Sequence, residues 1–192
     1  GLLGGAWITS LLCDLGGSKF DGANLVANFE RLNPANTLWT KPYNLYSHID
    51  GEIERFLEFE RWWTGFFLLT KEEMTQIVND LFVGNKLQRG GVHLAGGAAL
   101  DLKDITAPVV VFASGGDNIT PPQQALNWIV DVYGSEEEIK LHGQTIVYIL
   151  HQDIGHLGIF VSGKVAQKEH YEINEAIDFI DILPPGLYEM VI

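Results

Sequence analysis

Two residues in the second half of this 192-residue chain are spaced for proton-transfer chemistry. Asp117 follows the apolar run Val109-Val110-Val111-Phe112-Ala113 by four residues, and His156 follows the run Thr145 to Leu150 by six. An imidazole can take a proton from a hydroxyl or thiol and return it, provided a buried carboxylate fixes its tautomer and stabilises its charged form. In an open parallel sheet, reactive groups collect in the loops at the carboxyl ends of the strands, and both residues are placed there. The same residues allow other readings. Asp117-Asn118 is a turn-forming pair, His156 could be a core histidine, and His151 competes with it as base. His151, Asp153 and His156 spell H-x-D-x-x-H, a string that could suggest a metal. On a loop, a single catalytic histidine is the simpler account, and no metal is expected.

The third member of such a constellation, a nucleophile, has no recognisable place in the chain. A nucleophile elbow needs small residues on both sides of the Ser or Cys, because the turn is sharp and strained. No G-x-C-x-G or G-x-S-x-G occurs. Cys13 lies in Leu12-Cys13-Asp14-Leu15 and reads as a small buried hydrophobe. Ser114 and Ser162 also lack the elbow. No G-x-G-x-x-G opens a helix after a strand, so no dinucleotide, and no other cofactor, is expected.

The elements that must position Asp117 and His156 are legible as a strand–helix–strand–helix order. Val109 to Ala113 is β-branched without alternation, as suits a strand covered on both faces. Thr120-Pro121-Pro122-Gln123 caps a helix that carries Leu126, Ile129, Val130 and Tyr133 to Gly134. Ser135 and Glu138 make a capping box for a short acidic helix. Thr145 to Leu150 is the second strand, and a helix from about Gly163 to Asp181 stops before Pro184-Pro185. That order predicts an α/β unit with parallel strands. Two strands do not make a stable sheet alone, so further strands from missing sequence or from another copy are expected.

Upstream, Leu25, Val26 and Phe29 mark a helix that stops before Pro34. Phe56, Phe59, Trp63, Phe66 and Phe67 recur at helical spacing along one face, a stripe best explained by core packing. Trp62 falls off the stripe and is the aromatic to watch for a pocket, while Arg55 and Arg61 with their Glu neighbours read as a solvated face. Thr70 and Glu73 form a capping box, with Leu69 and Met74 placed as a hydrophobic staple. Ile77, Val78, Leu81 and Phe82 then run to Gly84 as the terminating residue. Val92 to Leu94 and Ala99 to Leu102 read as a short hairpin or extended pair.

Composition narrows the partners. Hydrophobic residues make up 46% and charged residues 19%, which suits a folded chain rather than a disordered one. A net charge of −13 without a Lys/Arg stripe disfavours a nucleic acid or an anionic membrane surface as partner. No apolar run is long enough for a membrane span. One cysteine excludes an intrachain disulfide and a multi-cysteine zinc site, and fits a cytoplasmic location. The opening Gly1-Leu2-Leu3-Gly4-Gly5 reads as the middle of something longer.

Between Asn79 and His156 the chain resembles the C-terminal part of poly(3-hydroxyalkanoate) synthases, members of the α/β-hydrolase superfamily. Asn85-Lys86-Leu87, Gly90-Gly91-Val92, Asp101-Leu102, Ile105 and Pro108 match that family's run before its penultimate strand. Gly116-Asp117-Asn118-Ile119-Thr120-Pro121 looks like its acid loop, and Gly155-His156-Leu157-Gly158 like its histidine loop. A likeness to an uncharacterised, synthase-like branch extends over the whole chain. It includes Asn33-Pro34-Ala35-Asn36, Phe59-Glu60-Arg61-Trp62-Trp63 and Gly115 through Gln124.

The resemblance implies Asp117 as triad acid and His156 as general base. It also implies a mainly helical cap over residues 1–100 and the C-terminal part of an α/β-hydrolase core over 101–192, an incomplete sheet. The family's nucleophile is a Cys on an elbow upstream of the matching region, so the chain alone is expected to be inactive. The leading expectation is a fragment of an acyl-transfer enzyme acting on an acyl thioester or ester, joined to its own N-terminal part or to a second copy. The alternatives are an ester hydrolase or depolymerase of the same fold, a non-catalytic binding or granule-associated module, and a proteolytic remnant that self-associates through its sheet edge.

Overall fold

The computed structural model describes residues 5–94, 96–156, 158 and 166–192. Residues 1–4, Leu157, Ser162 and the expected helix start at Gly163 lie outside that set. Backbone contacts divide the chain into two compact units, Gly1–Asn85 and Lys86–Ile192.

In the first unit, helix α1 (Trp7–Leu15) leads into strand β1 (Lys19–Asp21) and helix α2 (Ala23–Leu32). A π-helical turn, Asn36–Thr40, runs into α3 (Lys41–Ser47), and α4 (Ile49–Trp63) follows. Strand β2 (Leu68–Thr70) pairs antiparallel with β1, Phe20 opposite Leu69, and passes directly into α5 (Lys71–Gln76). Cys13, Phe20 and Met74 are buried together, with Leu69 and Val78 packed around them. The capping box forms as the spacing predicts: Thr70 Oγ1 accepts from Glu73 N–H at 3.2 Å, and Glu73 Oε2 accepts from Thr70 N–H at 2.8 Å.

Three expectations change here. Helix α4 ends at Trp63, so Phe66 and Phe67 leave the aromatic stripe and stand exposed before β2. Phe59, Trp62 and Trp63 do cluster, with Phe29 against Trp63 at 6.4 Å and Trp63 Nε1–H directed to Glu30 Oε1 at 3.3 Å. After α5 the helix widens to π geometry over Ile77–Val83, and Leu81 and Phe82 on it are exposed. The residue that turns left-handed after it is Asn85 (φ 46°), not Gly84 (φ −81°).

In the second unit, the short strands β3 (Val92–His93) and β4 (Ala99–Leu100) pair antiparallel. Then come β5 (Val109–Ser114), α6 (Pro122–Tyr133), α7 (Glu136–Leu141), β6 (Thr145–His151), α8 (Tyr171–Ile182) and β7 (Gly186–Glu189). The sheet is parallel, in the order β5-β6-β7. The protein is therefore mixed helix and sheet, with a small parallel sheet of the kind α/β proteins carry. Ile146, fully buried on β6, meets Ile129, Val132 and Tyr133 of α6 and Ile139 of α7.

Strand β7 is an addition to the two expected strands. Gly-Leu-Tyr-Glu is too short to show a period, and its place is set by long-range bonds: Gly186 N–H to Gln144 O at 2.9 Å and Met190 N–H to Tyr148 O at 2.9 Å. The strand covered on both faces is β6, in the middle. Strand β5 has one neighbour among the described residues and leaves Val110 exposed.

Candidate active site

Strands β5 and β6 end level, Ser114 opposite His151, so the loops that follow them leave the sheet side by side. Gly115 N–H donates to His151 O at 2.8 Å, which joins the two loops at their roots. A little further on, a Cβ on Gly116 would stand 2.6 Å from the carbonyl carbon of Asp153 and 3.0 Å from Ile154 N. Only a residue without a side chain lets the acid loop lie this close to the histidine loop.

The first loop turns back on itself, Asp117 N–H to Ser114 O at 3.1 Å, and aims the Asp117 carboxylate at His156. His156 Nδ1 lies 2.9 Å from Oδ2 and 3.1 Å from Oδ1. Oδ1 also accepts the backbone N–H of Ile119 at 2.9 Å and of Thr120 at 2.8 Å. The helix start differs from the expected Thr120 cap: Pro121 stands at the N-cap with Pro122 opening α6 and no side chain caps it, while the Thr120 backbone N–H goes to the carboxylate.

The Asp117 side chain is 13% exposed and that of His156 34%. Burial works to raise the Asp117 carboxyl, but the N–H of Thr120, the His156 ring and the N–H of Ile119 outweigh it. Together they hold the group below its ordinary value of 3.8. The carboxylate is thus ionised at neutral pH. It receives Nδ1–H, which makes Nε2 the lone-pair nitrogen of a neutral His156 and the atom suited to remove a proton.

His151, the rival base, does not meet Asp117. Its ring stacks on Phe112, Asp153 N–H donates to its Nδ1 at 3.1 Å, and its Nε2 faces Glu169 Oε1 at 3.6 Å. Glu169 had no signal in the sequence, where it reads as one more acidic residue of a helix. Among the described residues, no group of three His, Cys, Asp or Glu side chains is arranged to hold a metal ion, and no helix is long and apolar enough to cross a membrane. Cys13 is fully buried in the first unit, and Ser114, buried at the end of β5, accepts from Gly116 N–H through Oγ at 3.2 Å.

The model of a family described as "Protein of unknown function (DUF3141)" matches residues 1–192. An "Uncharacterized protein in ackA 5'region" of Rhizobium meliloti is 61% identical over the whole chain, which spans 26% of that protein. The "Poly(3-hydroxyalkanoate) polymerase subunit PhaC" of Allochromatium vinosum is 31% identical over 85% of the chain and 44% of its own length. The subunit of the same name from Thiocystis violacea is 30% identical over equal shares. The chain therefore spans about a quarter of the first relative and less than half of the polymerase subunits. No solved structure gives a significant match.

Proposed function

This chain belongs to the DUF3141 family, an uncharacterised branch distantly related to poly(3-hydroxyalkanoate) polymerase subunits, and from that premise we propose that it carries the acid and base of an acyl-transfer enzyme of the α/β-hydrolase type. The observation that carries the reading is the contact of the Asp117 carboxylate with His156 Nδ1 at 2.9 Å. Residues 1–100 are read as the cap region and 101–192 as the C-terminal part of the core, acting in the cytoplasm.

In this mechanism a Cys thiol or Ser hydroxyl from outside these residues loses its proton to His156 Nε2 and attacks the carbonyl carbon of a hydroxyacyl thioester. The carbon–sulfur bond of the thioester breaks, and the imidazolium returns the proton to the departing thiolate. An incoming hydroxyl then gives its proton to His156 and attacks the acyl-enzyme; the bond to the nucleophile breaks, the imidazolium returns the proton to it, and the acyl chain is longer by one ester. Asp117 stays ionised throughout and holds the ring. Water in place of the hydroxyl gives an ester hydrolase with the same two residues.

The test is the full-length protein with His156→Ala, assayed for acyl transfer from a hydroxyacyl thioester and for hydrolysis of a short ester. Turnover should fall by about 10³-fold or more in whichever reaction the wild type performs, with circular dichroism unchanged. Retention of both activities by the variant overturns the assignment. So does a full-length sequence with no G-x-C-x-G or G-x-S-x-G elbow.

A further inference from the structure

The proposed reaction leaves His151, the last residue of strand β6, without a part, although it is tied at three points. Its carbonyl takes the Gly115 N–H at the root of the acid loop. Its Nδ1 takes the Asp153 N–H at 3.1 Å, inside the loop that ends in His156. Its Nε2 faces Glu169, whose side chain is only 6% exposed and whose other oxygen, Oε2, has no hydrogen-bond partner among the described residues. A carboxylate this deeply buried is costly unless a donor faces it, and His151 is the donor at hand.

The hydrogen bond at Nδ1 and the carboxylate facing Nε2 agree on one protonation pattern. A neutral imidazole that accepts at Nδ1 carries its proton at Nε2, and that is the atom turned towards Glu169. His156 is arranged the opposite way, with Nδ1–H given to Asp117. The loop is therefore flanked by two histidines of opposite tautomer: His151, at the end of the strand, is bonded to the loop backbone, and His156 is carried by the loop. The separation of 3.6 Å between His151 and Glu169 is long for a hydrogen bond, so the pull of Glu169 is chiefly electrostatic.

We propose that His151, kept in its Nε2–H form by the Asp153 N–H and by Glu169, is a positioning residue that sets the 152–156 loop so that His156 meets Asp117. The structural part stands on the geometry alone. Its kinetic consequence rests on the acyl-transfer reading above.

Long-range nitrogen–proton correlation spectra of the full chain, labelled with 15N-histidine and recorded at alkaline pH, test the structural part directly. His151 should give the Nε2–H pattern and His156 the Nδ1–H pattern; His151 as Nδ1–H overturns the proposal. Two polar variants then separate positioning from mere packing. The Oδ1 of His151→Asn can stand where Nδ1 stood and accept the Asp153 N–H, whereas the amide of His151→Gln reaches the Nε2 position instead. The His156 ring signals should stay near wild type in His151→Asn and move in His151→Gln, and equal spectra for the two variants overturn the proposal.

In the full-length protein, His151→Gln should lower kcat by about ten- to a hundredfold with KM little changed, and His151→Asn should recover most of that loss. Equal kcat in the two variants overturns the kinetic part. A wild type inactive in both reactions defeats the acyl-transfer reading while the spectra still decide the positioning role.

Discussion

Gly116→Ala probes the closeness of the two loops with a single methyl group. The added Cβ would sit 2.6 Å from the Asp153 carbonyl carbon and 2.8 Å from its oxygen, where ordinary contact begins at 3.4 Å. The obstacle is backbone on both sides, so no side chain can swing away, and the loops must part by about 0.8 Å. Overpacking of this kind costs about 1–3 kcal/mol. With a urea dependence of about 1–3 kcal/mol per molar, the unfolding midpoint should fall by roughly 1 M. The same movement stretches the 2.9 Å contact between His156 and Asp117 towards a length at which little hydrogen bond remains. Gly155→Ala is the control, one residue from His156, because a Cβ there meets nothing within 4 Å. Urea denaturation followed by fluorescence compares the two variants with wild type. If Gly116→Ala is as stable as Gly155→Ala, the two loops are not packed as described and the account of the site fails with them.

Three further outcomes follow from the same structure. Because the folded Asp117 carboxyl lies below its ordinary value of 3.8, its ionised form stabilises the fold above that pH. That contribution fades as pH falls through the lower, folded value, so urea titrations should show wild type ahead of Asp117→Asn at pH 6, with the gap closing below about pH 3.8; a gap that is constant with pH contradicts the assignment. Thr70→Ala removes an N-cap with both halves of its box formed and should cost about 0.5–2 kcal/mol, measured by thermal or urea unfolding. Cys13, at 0% exposure, should react with a thiol reagent only as fast as the first unit opens, and at once in denaturant; immediate reaction of the native chain would show that the Cys13–Phe20–Met74 cluster is not closed.

Much of this protein was determined by local chemistry and is therefore readable in the residues themselves. The runs Val109–Ala113 and Thr145–Leu150 form adjacent parallel strands because continuous β-branched and apolar residues suit a sheet with helices against it. The Thr70 and Ser135 caps form because each needs only a hydroxyl and a backbone N–H three residues on. Cys13 is buried, as a small apolar side chain among leucines should be.

Tertiary structure alone decided the rest, wherever the deciding partner lies far along the chain. Which histidine faces Asp117 depends on β6 running one residue further, to His151, which commits that ring to Phe112 and Glu169 and leaves the loop to deliver His156. The role of Gly116 is set by Asp153. Strands β1, β2 and β7 are too short to announce themselves by any period, and each exists because a partner distant in sequence supplies its hydrogen bonds. Residue types placed an acid and a base in neighbouring loops. Packing between those loops determined which base the acid holds, and in which tautomer.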